Sequence, residues 1–326
     1  MWPRIKRQWF LIALATCFCI GFFASETLQP LLAMTTLRSA IVFSVMWIMG
    51  VTLKADAVRQ SLARPLPTLL AIGINVLVVP LLCLPAQAIL PASAFGGLFV
   101  VSLVPCTLAS AAVWTRKADG NDSIALMTTV VTNLACIFVI PIGVSLVLAR
   151  QADISAIEQM RKLATIVVAP LVIAQTMRTI GVAKWADRNK IRLSLLAQFG
   201  ILSMVVFGAI ASAGMIQNAD ESGVSSIGMT TATLVFLVIA IHLSAFGIGI
   251  LVSRATGADR ASQVAVGFGG SQKTLMVGLQ IAIDLGVSVI PMLMYHLFQL
   301  TIDTVIAERW KQSSEQMDQN RPSKET

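Results

Sequence analysis

The stretch Ala261–Gly286, ASQVAVGFGGSQKTLMVGLQIAIDLG, decides how this chain is read. It is apolar and longer than the roughly 20 residues that a bilayer crossing needs. Gly267, Gly269 and Gly270 fall near its middle, and Lys273 follows. Glycine gives a backbone the freedom to unwind. A lysine at bilayer depth costs about 2.5–3.5 kcal/mol on insertion scales, so it needs a reason to be there. The combination predicts a membrane helix broken at Gly267–Gly270 beside a buried cation, which is the signature of a binding site.

Composition puts the rest of the chain in the same solvent. Of 326 residues, 56% are hydrophobic and 12% charged, with mean hydropathy +0.81, whereas soluble domains are about 25% charged. The net charge of +8 is spread between the hydrophobic runs, which orients spans and does not suggest nucleic acid. Cys17, Cys19, Cys83, Cys106 and Cys136 all lie inside apolar runs. Cys17 and Cys19 sit about 200° apart on a helix, and neither a disulfide framework nor a metal spacing emerges. The opening MWPRIKRQ imitates a signal peptide, but the apolar run from Trp9 to Ala24 is long and lacks a small-x-small cleavage site. A retained first helix is therefore expected.

The chain reads as all-α and polytopic, with ten spans at about 8–25, 37–53, 66–85, 92–115, 122–149, 160–178, 193–213, 227–252, 260–285 and 288–308. A polar tail over 311–326 is too polar to bury and is expected to be disordered and cytoplasmic. With the N-terminus inside, 19 of the 24 Lys and Arg residues face inward. The outer side receives Arg38, Arg150, Arg161 and Lys162, and Lys273 stays in the membrane. That bias places both termini in the cytoplasm, in a plasma membrane that for a bacterium is the inner one. Residues 1–310 form one membrane domain divided into repeats at about 8–155 and 156–310. Five spans per repeat is an odd number, so the repeats are inverted. The fourth span carries Pro105 where its counterpart, the ninth, carries the glycines. Interrupted helices at matching positions of inverted halves mark the central site of a secondary transporter.

Three segments then show a family likeness: Val104–Asp122, VPCTLASAAVWTRKADGND; Gly269–Leu275, GGSQKTL; and Pro291–Gln299, PMLMYHLFQ. With the ten-span layout, they resemble the bile acid:sodium symporter superfamily, in its divergent SBF-like branch, over nearly the whole chain. The resemblance implies a core of spans 3–5 and 8–10 and a panel of spans 1, 2, 6 and 7. Two discontinuous helices would cross in the core, with substrate bound between the domains as they rock. It carries the family's sodium ligands over only in part. Ser110 matches, but the partner asparagine is missing. In the fifth span the hydroxyl positions fall at Ala125 and Thr129. Gly267 stands where the shared glutamate would be, and Ser271 replaces a glutamine. That shell of hard oxygens is depleted.

No cofactor is implied, and the coupling ion is sodium or a proton. Lys273 is expected to serve as an internal cation, to carry the coupled proton, or to be a structural lysine held by backbone carbonyls. Half-helices starting near Thr107 and Ser271 would aim their dipoles at a small organic anion. Candidate substrate or ion contacts are Ser110, Thr115, Asn121, Thr129 and Asn133 on spans 4 and 5. On span 9 they are Ser271, Gln272, Lys273 and Thr274, and on span 10 His296 and Gln299. Thr128 is at the same level, and Asn75 either lines this site or bonds a neighbour. His242 is expected to pack, and Asp284 and Asp303 to be solvated near helix ends. The expected activity is secondary transport of an organic anion through the bilayer. The alternatives are a cation/proton antiporter, for which spans 4, 5 and 9 hold no central carboxylate, and a non-transporting regulator of calcium handling or envelope assembly. An enzyme is not expected, because no nucleophile–base pair or metal-ligand spacing is present. Oligomeric state and substrate identity stay open.

Overall fold

Long apolar runs punctuated by Pro and by short polar turns leave the backbone only its own carbonyls to bond to, and the result is helical throughout. The structure, a computed structural model, describes residues 2–53, 65–148, 155–217 and 221–319. Lys54, Arg59, Arg64, Arg150, Arg321 and Lys324, used above to orient the spans, lie outside the described residues. Among the described residues no strand is present.

In chain order the main helices are α1 (Trp2–Phe23), α2 (Thr35–Thr52), α3 (Pro65–Ala88), α4 (Ala92–Leu103), α5 (Ser110–Lys117) and α6 (Asp122–Val147). They continue with α7 (Ala156–Arg188), α8 (Lys190–Gln217), α9 (Glu221–Ala255), α10 (Arg260–Ser271), α11 (Leu275–Asp284) and α12 (Ile290–Gln319). Among the described residues, seven helices are long and apolar enough to cross a membrane, namely α2, α3, α6, α7, α8, α9 and α12. An eighth is added if Ile12–Phe23 and Ser25–Ala33, bent by 85°, count as one.

The expected fourth and ninth spans are each two short helices. α4 stops at Leu103 because Pro105 disfavours helical backbone at the residue before it, and Val104 is extended at ψ 153°. α10 is capped by Asp259, whose carboxylate accepts from the Ser262 N–H at 2.7 Å. It ends where Gln272 turns extended (ψ 142°), and Thr274 is extended in turn (ψ 133°) before α11. The two irregular segments meet where the Thr274 N–H donates to the Pro105 carbonyl at 2.9 Å.

This corrects the expected place of the ninth-span break. Gly267, Gly269 and Gly270 are helical and lie inside α10; the break falls at Gln272–Thr274. The glycines serve close packing instead. A Cβ on Gly267 would come within 2.9 Å of the Phe246 ring, and one on Gly270 within 2.9 Å of Ile74. Ser271 is likewise the last residue of α10 and not the start of a half-helix.

α10 packs against α9, α3 and α6, and α4 against α12. α1 lies along α8, and α2 against α7 and α8. α11 connects the groups by touching α8 and α2. At its far end Asp284 accepts from Lys162 at 2.6 Å and Arg38 at 3.4 Å, so it is paired and mostly buried where a solvated carboxylate was expected. Part of the tail expected to be disordered is helical instead. α12 runs on to Gln319, which places Asp303 in mid-helix, and residues 320–326 lie outside the described residues.

Candidate functional site

Three unrelated local events prepare the place where Lys273 ends. α3 contains a π turn at Ile74–Val78, in which the Val79 N–H bonds back to the Ile74 carbonyl. The next residue, Pro80, has no N–H, so the Asn75 carbonyl is left without a helical donor. α4 ends at Leu103, which leaves its last carbonyls unpaired as at any helix C-terminus. The Lys273 ammonium reaches across both: it donates to the carbonyls of Asn75 (2.6 Å), Ser102 (2.6 Å) and Val104 (3.0 Å), with the Asn75 Oδ1 at 3.2 Å. Three N–H donors meet three main-chain oxygens. Lys273 is 1% exposed, and no carboxylate is among these contacts.

The remaining loose ends of the break are closed from neighbouring helices. Asn75 Nδ2 donates to the carbonyls of Gly269, Gly270 and Gln272 at 2.9–3.3 Å. Gln299 grips Lys273 on both sides, accepting from its N–H and donating to its carbonyl, each at 2.9 Å. Tyr295 donates to the Ser271 carbonyl at 2.8 Å. On the fourth span, Asn133 donates to the Cys106 carbonyl (3.0 Å) and Thr129 to the Thr107 carbonyl (2.9 Å). Thr107 Oγ1 accepts from the Ala111 N–H at 3.0 Å and so caps α5.

A second buried charge sits beside the crossing, where none was expected. Asp303 and His242 are both fully buried, with His242 Nε2 2.8 Å from Asp303 Oδ1. The expectation of a solvated Asp303 is overturned, whereas His242 is packed as expected, edge-on to Tyr295, and bonds Asp303 as well. Asp303 lies near the middle of a helix that extends well past it, and His242 finds its partner 61 residues on. A buried carboxylate is thus present on α12, outside the segments expected as spans 4, 5 and 9. Gln272 Nε2 donates to the other oxygen of Asp303. Gln272 Oε1 accepts from Thr107 and Ser110 hydroxyls, both at 2.8 Å.

Thr107, Ser110 and Thr274 also wall a cleft of about 540 Å³. α5 and α11 both start at this wall. α1, α2 and α8 also line the cleft, with Met49, Gln198 and Ile201 among their residues. Arg116, Asp122 and Lys190 line it as well. Trp114 Nε1 and Gln198 Oε1 are buried at this cleft without a hydrogen-bond partner in the structure. His296 reaches the cleft and bonds Gln299 at 3.0 Å.

The predicted contacts therefore divide. Ser110, Gln272, Lys273, Thr274, His296 and Gln299 gather at the crossing or the cleft. Thr129 and Asn133 brace the fourth-span break. Thr115 only returns a bond to the Ala111 carbonyl (2.7 Å), and Thr128 to Ile124 (2.9 Å). Asn121 caps α6 through Ser123 at 3.2 Å, outside the site. Ser271 turns its carbonyl to Tyr295, and its buried hydroxyl has no partner. At Gly267, where the resemblance implies a sodium-binding glutamate, the space beside the backbone is filled by Phe246 and Ile250.

A helical membrane protein with two interrupted helices meeting at a buried, ion-rich crossing beside a cleft has the parts of a membrane transporter. The model of the SBF-like CPA transporter family matches residues 8–312, and the chain belongs to that family. It is 28% identical over 321 residues to the probable sodium/metabolite cotransporter BASS4, chloroplastic, of Arabidopsis thaliana, covering 92% of this chain and 71% of the relative. It is 22% identical over 323 residues to sodium/bile acid cotransporter 7 of Danio rerio, covering 93% of each. An uncharacterized protein of Pseudomonas aeruginosa is 26% identical over 322 residues, 94% of each chain. The family description and the names of the two cotransporters are those of transporters and not of enzymes, and this chain is an integral membrane protein of that class.

Proposed function

We propose that the protein is a secondary transporter that carries a small organic anion through the cleft by alternating access, coupled to sodium or to protons. One observation carries the anion: α5 and α11 both begin at the cleft wall. Two helix N-termini bring their partial positive charge to the same volume. Trp114 adds an N–H without a partner, and Lys190 and Arg116 place positive charge in the lining. The apolar lining from Ile48, Met49 and Ile201 suits an organic body behind the charged group.

In this proposal α4–α5 and α10–α11 each complete one crossing. With the eight others they make ten, in two inverted repeats. Helices α1, α2, α7 and α8 form the panel, and the rest form the core that rocks against it. With both termini cytoplasmic at an inner membrane, the part of the cleft lined by Arg116 and Lys190 faces the cytoplasm. The cluster of Arg38, Lys162 and Asp284 then joins panel to core on the outer side. Sodium as coupling ion draws support from the relatives' names, and a proton from the filled space at Gly267 and the caged Lys273.

The test uses purified full-length protein. Organic anions are screened by thermal shift at two pH values in sodium or potassium, and the hits are followed as flux into liposomes under each gradient. Stabilisation and gradient-driven flux are expected. A failure of every anion to bind or move under any gradient sinks the proposal.

A further inference from the structure

The Asp303–His242 pair does no work in the transport scheme above. We propose that it is a proton-binding site, tied through Gln272 to the hydroxyls that wall the cleft. As a coupling device it deepens the transporter reading and rests on it.

Charge balance comes first. Asp303 is fully buried, and among the described residues its ionisable partner is His242 alone, with no lysine or arginine paired to it. A lone carboxylate at this depth is costly, whereas one shared proton makes the pair neutral overall. The groups around it supply no other counter-charge. From α12 comes Tyr295, which lies edge-on to His242 with ring centroids 5.7 Å apart. The two breaks bring Cys106 and Lys273, and Lys273 turns its ammonium to Asn75, Ser102 and Val104. α3 brings Cys83, and α4 has no ionisable side chain. Lys117 of α5 pairs with Glu308 (2.8 Å), beside Arg116 with Asp122, and Asp284 of α11 is held by Lys162 and Arg38. Lys190 and Arg192 of α8 and Arg260 of α10 lie near their helix starts, and His296 is turned to Gln299.

Geometry then shows room for the proton. His242 Nε2 faces Asp303 Oδ1 at 2.8 Å, and Nδ1 faces the Ser271 carbonyl at 3.4 Å. Both ring nitrogens therefore look at oxygen. A neutral imidazole beside an ionised carboxylate has one N–H, so one lone pair is left facing an acceptor. A second proton satisfies both nitrogens. On uptake, a hydronium ion in the cleft loses one O–H bond and becomes water, and an N–H bond forms on His242. Release is the reverse.

The tie to the cleft runs through one side chain. Gln272 donates to Asp303 with its nitrogen and accepts from Thr107 and Ser110 with its oxygen. Thr107 and Ser110 also approach each other at 2.6 Å. Their two O–H groups can serve either Gln272 or a cargo anion in the cleft. Cargo that takes one of them loosens Gln272 and removes a donor from Asp303. Cargo affinity and proton affinity must then change together, because linkage is reciprocal.

The chain has two histidines, so 15N-histidine NMR on full-length protein in lipid nanodiscs resolves the pair, with His242→Gln giving the assignment. The His242 nitrogens are expected to change their shifts with pH as the second proton is gained and lost. Asp303→Asn should abolish this transition or displace it by about one pH unit, a tenfold change in proton affinity. Ser110→Ala should displace it by about half a unit, roughly threefold. A His242 fixed in one tautomer across the titration in the wild-type protein overturns the site, whether or not Asp303→Asn folds. An unmoved transition in Ser110→Ala overturns the tie to the cleft. The readout needs no cargo, so the two proposals fail separately. A titrating pair without flux sinks transport alone. Flux that ignores both the proton gradient and Asp303→Asn sinks the coupling role alone.

Discussion

Lys273 and Asp303 are both buried beside one crossing, yet the protein treats them in opposite ways. Lys273 is neutralised by backbone: its three N–H groups meet carbonyls that a π turn, a proline and a helix end had left unpaired. Asp303 is neutralised by side chains, the imidazole of His242 and the amide of Gln272. Backbone carbonyls cannot accept a proton from the lysine at neutral pH, whereas an imidazole can exchange one with a carboxylate. The cation therefore serves as a fixed strut and the anion as an exchangeable site, and the difference lies in their partners.

The largest way to break this contrast is Lys273→Met. It strands three buried carbonyls, each worth about 1–3 kcal/mol when unsatisfied, so a loss of at least about 3 kcal/mol is expected. Thermal unfolding in nanodiscs and folded yield measure it, and a wild-type melting temperature would show that the strut is dispensable. Asn75→Ala removes three donations to the end of α10 and should cost about 2–3 kcal/mol by the same assay. Asp303→Asn keeps shape and bonding to Gln272, and should cost only about 1 kcal/mol while abolishing or displacing the His242 transition. A stability loss equal to that of Lys273→Met would erase the distinction between strut and exchangeable site. Thr107→Val uncaps α5 and frees Gln272 at a cost of about 1 kcal/mol, with Thr107→Ser expected to restore both. The smallest effect belongs to Glu308→Gln, which loosens the half-exposed pair with Lys117, at most about 1 kcal/mol at low salt and fading as salt rises; a melting series at two ionic strengths reads it.

Lys273 was legible in the sequence because a lone charge in an apolar run has few explanations. The interruption at Pro105 was legible because proline acts on its own neighbour. The glycines misled, since Gly267 and Gly270 permit close approach as readily as unwinding, and only the neighbours Phe246 and Ile74 decide between the two. Asp303 was misplaced because hydropathy ended the last span near residue 308, while the helix continues through polar residues to Gln319. His242 gave no sign at all, because its partner is brought to it by packing. The role of Asn75 stayed open for the same reason: nothing local reveals that a π turn frees its carbonyl.

The cage around Lys273 also has an electrical consequence. While Lys273 holds its proton, the charge travels wherever its segment goes. Carrying one elementary charge across the whole membrane involves about 2.3 kcal/mol per 100 mV. A shift of the crossing by one-tenth of the membrane thickness then involves about 0.2 kcal/mol per 100 mV. The empty carrier would thus sense voltage through Lys273, before cargo or coupling ion adds any charge of its own.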